Sequence, residues 1–218
     1  MKHYQLTALF IVIMLFLMLL RRKRYGFTIA KSLIVSLCAL VAGVLGTYIM
    51  YYLENGSFGR MSFFGAVFFF PVFLLPVAWM FKVSLKHLLD YATPAGIALL
   101  VPAKLNCYIS GCCGGRAIWY SPEGIPTHFP SQLAEMANAL LITVLLLVIE
   151  RKKKNSGLLY PVCLLSYGAT RLILNEFRQQ GASSIVGIKI GSFWSIISVV
   201  IGIVWIGVTA RRKKHKGE

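Results

Sequence analysis

The sequence predicts an all-α, polytopic membrane protein of seven transmembrane helices, with the N-terminus extracytoplasmic and the C-terminus cytoplasmic. Three observations carry this. Hydrophobic residues fill 57% of the 218 positions, charged residues only 14%, and the mean hydropathy is +0.71, which does not describe a polar-surfaced soluble domain. Apolar runs of the length that spans a hydrocarbon core as helix recur along the chain. Short Lys/Arg clusters follow alternate runs, as cytoplasmic loops do. Residues 1–218 read as a single integral membrane domain, with one long extracytoplasmic loop, 107–131, within it.

The spans fall, in order, at 5–20, 28–52, 62–81, 88–106, 132–149, 157–175 and 190–210. The first is followed by "RRKR" (21–24). A cleaved signal peptide is its rival, but the positive charge follows the apolar run and no small-x-small cleavage site precedes it. The third is followed by Lys82 and Lys86, the fifth by "RKKK" (151–154) and the seventh by "RRKKHK" (211–216), so all four basic clusters share one face. The fourth, "LLDYATPAGIALLVPAKLN", is interrupted by Pro94 and Pro102, with Lys104 near its end. A broken helix at membrane depth survives where neighbours satisfy its backbone, so it belongs inside the bundle. The loops 53–61, 107–131 and 176–189 then lie outside.

The formal charge of +16 would suggest nucleic acid in a soluble chain. Here the basic residues stand in short runs between apolar segments rather than along one face, and most serve topology, so no nucleic-acid partner is expected. Five cysteines spread through the chain without a secreted pattern define no disulfide framework.

Polar residues at span depth need a separate account. Arg171, in "LSYGATRLILNEFRQQ", costs several kcal/mol in a span unless it meets a cavity, a partner or the interface. Tyr167, Arg171 and Arg178 share a helical face while Glu176 points elsewhere, and that face reads as an anion-binding stripe. Guanidinium forks suit phosphate and stay charged when desolvated. The alternative is snorkelling of long basic stems to the interface. Lys104 and Ser62 lie at the same outer level on two other segments. In "THFPSQLAEM" (127–136), Ser131 or Thr127 can cap the fifth span, with Glu135 in its first turn where a carboxylate suits the helix dipole. His128 reads as a base, a ligand or a plain loop residue.

The ordered segments resemble one family, the prolipoprotein diacylglyceryl transferases. "GRMSFFG" (59–65) is similar to the family's Gly-Met-Ser-Phe-His-Gly motif, and "LDYATPAGIALLVPAKLNCYISGCCGGR" (89–116) to its Asp, Pro and Gly-Arg-x-Gly-Asn-Phe-x-Asn-Gly signature. "HFPSQLAE" (128–135) resembles His-Pro-Ser-Gln-Leu-Tyr-Glu, and "YGATRLILNEFR" (167–178) resembles Tyr-Gly-x-x-Arg-Phe-x-x-Glu-x-x-Arg. "GSFWSIIS" (191–198) adds a weaker match. The resemblance implies a multi-pass enzyme of a bacterial-type plasma (inner) membrane that needs no cofactor or metal. It would transfer diacylglycerol from a phosphatidylglycerol-like phospholipid to the cysteine thiol of an exported prolipoprotein signal peptide.

Under that resemblance Arg171 and Lys104 hold the phosphate, Tyr167 and Ser62 hydrogen-bond, and Gly65, Gly111 and Gly115 allow the lipid to approach closely. Arg116, His128, Gln132, Glu135, Gly168, Glu176 and Arg178 complete the expected substrate-binding set. The departures are specific. Phe64 stands where the family carries a histidine, Lys104 where it carries an arginine, Cys107 and Ser110 where it carries asparagines, and Cys112 where a glutamate follows the signature glycine. Val44 is nearest to a missing arginine, Phe129 is inserted, and Ala134 replaces a tyrosine.

Cys107, Cys112 and Cys113 admit four readings. A metal site is set aside because C-x4-C-C with His128 is not a recognised zinc pattern. A disulfide suits an oxidising outer face. A nucleophilic thiol, made more acidic by Lys104 and Arg116, would belong in the catalytic set with Arg171, Lys104 and Tyr167. Small residues for close packing among glycines are the fourth. Two other functions keep the fold: a related lipid transferase with a different acceptor and a loop cysteine as nucleophile, or a non-catalytic phospholipid-binding paralogue.

Overall fold

The computed structural model describes residues 3–59, 61–152, 157–178, 184–185 and 187–214. Arg60 of "GRMSFFG", Lys153 and Lys154 of "RKKK", and His215 and Lys216 of the basic tail lie outside the described residues.

The chain is mostly helical: α1 (His3–Arg21), α2 (Ile29–Asn55), α3 (Phe63–Met80), α4 (Leu85–Ala98), α5 (Leu100–Ile109), α6 (Ser131–Lys152), α7 (Leu159–Glu176) and α8 (Ile190–Lys214). Among the described residues, five segments are long and apolar enough to cross a membrane: Ile29–Asn55, Phe63–Met80, Leu85–Ile109, Ser131–Lys152 and Ile190–Arg212. Helices also occupy the first and sixth expected runs. The loop between α5 and α6 holds a short antiparallel hairpin of β1 (Ala117–Tyr120) and β2 (Pro126–His128), and β3 (Ser184–Ile185) pairs with β4 (Ile188–Lys189) before α8.

The fourth run behaves as its prolines require. Of its most apolar window 67% is buried, against 22–33% for the other four candidate spans. It divides at Leu99 into α4 and α5, three residues before Pro102, whose ring nitrogen has no hydrogen for the Ala98 carbonyl. Pro94 likewise leaves the Asp90 carbonyl without its helical donor, and there Arg21 Nη2 donates instead, at 2.9 Å.

Two compact units are distinguishable: Ile11–Gly96 with Leu146–Tyr160, and Met1–Phe10 with Ile97–Leu145 and Pro161–Glu218. In the first, α2 and α3 form an antiparallel pair whose crossing is glycine on glycine. A Cβ on Gly46 would meet the Gly65 carbonyl oxygen at 2.5 Å, and one on Gly65 would run into Gly46 backbone. Without a hydrophobic drive between helices in lipid, such backbone proximity is a main source of association.

The same unit contains a buried ion pair. The Arg21 guanidinium forks onto Glu150, Nε to Oε2 at 2.8 Å and Nη2 to Oε1 at 2.8 Å, and Nη1 reaches the Tyr91 carbonyl at 2.5 Å. Arg24 donates to the Glu150 and Arg151 carbonyls. The Asp90 carboxylate accepts from the backbone amides of Gly157 at 2.6 Å and Leu159 at 2.9 Å, capping α7 from a helix distant in sequence. Within the topology run "RRKR", Arg21 is therefore 8% exposed and its guanidinium is engaged inside the protein.

In the second unit α7 and α8 pack antiparallel through small residues. A Cβ on Gly168 would lie 2.8 Å from the Ser195 carbonyl, and one on Gly202 would lie 2.9 Å from the Pro161 carbonyl.

Candidate functional site

The site belongs to the second unit and is built on one carboxylate. Glu135 was expected in the first turn of its helix, stabilising the dipole. It is instead the fifth residue of α6, it is 5% exposed, and three cations converge on it. Lys104 Nζ lies 2.6 Å from Oε2, Arg171 pairs with Oε1, and Arg178 Nη1 lies 3.6 Å from Oε1. These cations come from α5, from α7 and from the residues just past α7. The stripe of Arg171 and Arg178 thus already faces an anion, an internal one.

Charge balance decides what the arrangement can do. Among the described residues, Lys104, Arg171 and Arg178 oppose one carboxylate, Glu135, which leaves two positive charges in excess of the carboxylate charge in the cluster. Arg171, 8% exposed, keeps a buried Nε with no hydrogen-bond partner among the described residues. A buried guanidinium donor without an acceptor is costly, and an arriving anion would relieve it. Tyr167 is buried one turn earlier on the Arg171 face of α7.

The loop after α5 is held against this cluster's helices by backbone bonds. Ser131, expected as a cap, uses its hydroxyl differently and donates to the Cys113 carbonyl at 2.7 Å, while Gln132 Nε2 donates to the Cys112 carbonyl at 2.6 Å. Thr127, the other expected cap, is in β2. Gly115 and Arg116 join Phe129 and the end of α7: Gly115 N donates to the Phe129 carbonyl at 3.1 Å, and Arg116 N to the Phe177 carbonyl at 2.9 Å. The inserted Phe129 packs on Phe177, ring centroids 4.8 Å apart, and the Arg116 guanidinium lies over the Phe177 ring. His128 donates Nδ1–H to the Gly115 carbonyl at 3.0 Å, which fixes its ring.

Two of the expected substrate-side glycines sit in close packing: Gly115 backs directly onto Phe129, and Gly168 onto α8. Gly111 takes a left-handed φ of 65° where α5 ends, a helix-stopping conformation that glycine adopts without strain. Ser62 and Gly65 belong to the other unit, where Ser62 donates to Glu54 Oε1 at 3.0 Å and Gly65 lies against Gly46. Phe64 is buried there and stacks with Phe68, so the place of the family histidine is filled by core packing.

Glu176 is separate from Glu135. Its carboxylate is largely exposed and 3.5 Å from Lys189 Nζ. It lines a cavity of about 430 Å³ with Arg116, Tyr120, His128, Arg178 and Lys189, so Arg178 faces both the cavity and the cation cluster. Tyr120 and Lys189 escaped sequence reasoning. The available signal for Lys189 was a lone cation in "GIKIGSF", directly before an apolar run.

Cys107 lies in the last turn of α5 rather than in the loop, and Cys112 and Cys113 follow it, exposed. All three thiols are free, and their sulfurs lie within 4.8 Å of one another. Cys113 has a φ of 59°, uncommon for a residue with a side chain. Thiol hydrogen bonding from Cys107, opposed by burial and aided by Cys112 and by the charges of Lys104 and Arg178, holds the Cys113 thiol well below its ordinary pKa.

Fold and site together define a helical membrane protein with a buried, cation-rich centre suited to an anionic group. The family model for prolipoprotein diacylglyceryl transferase matches residues 3–208, and the chain belongs to that family. It is 29% identical over 177 residues to the phosphatidylglycerol–prolipoprotein diacylglyceryl transferase of Idiomarina loihiensis, covering 76% of this chain and 64% of that one. It is 23% identical over 138 residues to the protein of that name from Clostridium tetani (58% and 55%), and 34% identical over 93 residues to that from Proteus mirabilis (41% and 31%). The chain therefore spans less than two thirds of the length of each of these relatives.

Proposed function

We propose that this protein transfers a diacylglyceryl group from a phosphatidylglycerol-like phospholipid to the cysteine thiol of an exported prolipoprotein. The observation that carries the reading is the buried cluster of Lys104, Arg171 and Arg178, which holds more positive charge than Glu135 neutralises and leaves Arg171 Nε without an acceptor among the described residues. Family membership and the activity for which the relatives are named support it.

The chemistry is substitution at carbon. The acceptor sulfur forms a bond to the glyceryl carbon, the carbon–oxygen bond to phosphate breaks, and its electron pair leaves on a phosphate monoester while the thiol gives up its proton. Negative charge grows on the departing phosphate, so fixed cations at that oxygen lower the barrier. Arg171 offers its free Nε–H and a planar fork, Lys104 and Arg178 add charge, and Glu135 keeps the three from drifting apart before the lipid arrives. Tyr167 supports Arg171 from one turn away. The same reading takes the chain as seven spans, N-terminus out and C-terminus in, in a bacterial inner membrane. The five long apolar helices, with α1 and α7 in the remaining two runs, support that count.

Incubating the purified protein with labelled phosphatidylglycerol and a lipobox peptide should yield lipidated peptide. Absence of transfer where a standard member of the family works would reject the reading. One observation favours a second: Phe64, buried in the core, can neither donate nor accept a proton, as a non-catalytic phospholipid-binding paralogue would tolerate. Bound phospholipid without turnover would select it.

A further inference from the structure

Three thiols lie together at the end of α5, outside the cation cluster, and close packing does not account for them, since Cys112 and Cys113 are exposed. Sequence spacing alone set metal aside, because C-x4-C-C is not a familiar pattern. The fold supplies what spacing could not. Gly111 turns the chain back at the end of α5, Cys112 N donates to the Cys107 carbonyl at 3.0 Å, and Cys113 takes its left-handed φ, which brings the sulfurs of Cys112 and Cys113 to that of Cys107. Ser131 and Gln132 then hold the two carbonyls from α6.

The dimensions suit a tetrahedral thiolate centre. With zinc–sulfur bonds of about 2.3 Å, the sulfurs of such a site lie roughly 3.8 Å apart, and the three found here lie within 4.8 Å of one another, so small rotamer changes close the ring. We propose that Cys107, Cys112 and Cys113 form a three-thiolate site for Zn²⁺ with its fourth coordination position open. Three thiolates and Zn²⁺ carry one net negative charge. Lys104, three residues before Cys107 on α5, and Arg178, whose backbone bridges to Gly115, bring positive charge to that side. Three protein ligands and one exchangeable position are the pattern of a zinc site that takes up a substrate.

The position also suggests what enters. Cys107 is one turn from Lys104, and Ser131, bonded to Cys113, is one turn from Glu135, so the open position is about one helical turn from the cation cluster. Zinc deprotonates a coordinated thiol. An acceptor thiol bound there would lose its proton to water and present a thiolate towards a glyceryl carbon whose phosphate is held by Arg171, the role that Phe64 cannot fill. This last step rests on the proposed transfer, whereas the metal site does not.

The test uses the full chain in detergent. Metal analysis should find one zinc per chain. Cys112→Ser and Cys113→Ser should each weaken zinc retention against a chelator by at least about tenfold. Cys112→His, which keeps a ligand, should recover part of it, and Cys38→Ser with Cys163→Ser should leave it unchanged. Thermal unfolding of each variant separates ligand loss from misfolding. With Co²⁺ in place of zinc, sulfur-to-cobalt absorption should appear and shift when a lipobox peptide is added, but not with its Cys→Ser analogue. A disulfide among the three cysteines, preferential retention of Cu⁺, or zinc unaffected by the serine substitutions would overturn the site. Cobalt absorption that ignores the peptide would overturn thiol capture alone. Transfer by metal-free protein would do the same while leaving the proposed function standing, and zinc without any transfer would reject that function while leaving the site.

Discussion

Two buried carboxylates, Glu150 and Glu135, are each surrounded by cations, and the difference between them separates a structural lock from a binding centre. At Glu150, Arg21 uses its guanidinium fully, forking onto the carboxylate and reaching the Asp90 and Tyr91 carbonyls, while Asp90 pins the start of α7. Two acidic residues, Glu150 and Asp90, stand beside two arginines, Arg21 and Arg24. At Glu135 three cations share one carboxylate, and the Arg171 Nε–H goes unanswered among the described residues. A balanced account of charge holds a fold, even though Arg24 Nε beside Glu150 also lacks a hydrogen-bond partner among the described residues. An open one, maintained at depth, needs a ligand to complete it.

The largest expected effect tests the lock. Arg21→Met strands Glu150 in the interior and should lower unfolding stability by about 3–5 kcal/mol, because an unpaired buried charge loses far more than the pair contributes. The double substitution Arg21→Met with Glu150→Leu removes both charges and should regain most of that loss in a thermal unfolding series. If the single and double variants melt alike, Arg21 is not locked to Glu150 in the way described.

The next tests the open centre. Arg171→Ala should reduce the proposed transfer by about 10²–10³-fold, the usual cost of removing a principal donor to developing negative charge. Arg171→Lys should recover only part, since an ammonium keeps charge but loses the fork. This loss in protein that still melts normally would set the two carboxylate centres apart, whereas an Arg171→Ala variant that unfolds as readily as Arg21→Met would make both structural. Lys104→Met should cost less, about 10–100-fold, in keeping with roughly 1.5–3 kcal/mol for a hydrogen bond to a charged group. Lys104 already contacts Glu135, and Arg171 and Arg178 remain.

Much of this contrast was legible in the sequence, and the missing parts share a cause. Hydropathy and motif order marked the helices and singled out Arg171 and Lys104, because membrane burial of a charge is locally conspicuous. Glu135 looked like a dipole-stabilising carboxylate, since a first-turn position is a local pattern whereas convergence of Lys104, Arg171 and Arg178 upon it spans 74 residues of chain from Lys104 to Arg178. Arg21 reads as one member of the topology run "RRKR", and nothing local tells which member turns inward. The hairpin of β1 and β2 depends on the turn from Ser121 to Ile125, where Gly124 takes a φ of 80°, and the gathering of Cys107, Cys112 and Cys113 on backbone reversals at Gly111 and Cys113, not on the spacing of the residues.

The smallest effect concerns Glu176, which motif resemblance placed among the substrate ligands. Its carboxylate is 62% exposed and pairs with Lys189 at 3.5 Å, a geometry whose contribution to stability is about 0–1 kcal/mol after solvent screening. Arg178 faces Glu135 from one side and the cavity that Glu176 lines from the other, so Glu176 can influence the centre only through the field it places on Arg178. Glu176→Gln should therefore leave unfolding unchanged and alter transfer by less than about threefold, with any effect fading as ionic strength rises. A loss greater than tenfold that persists at high salt would mean that the cavity of Arg116, His128 and Lys189 takes part in binding the substrate, and the open centre would then extend from Glu135 out to the loop surface.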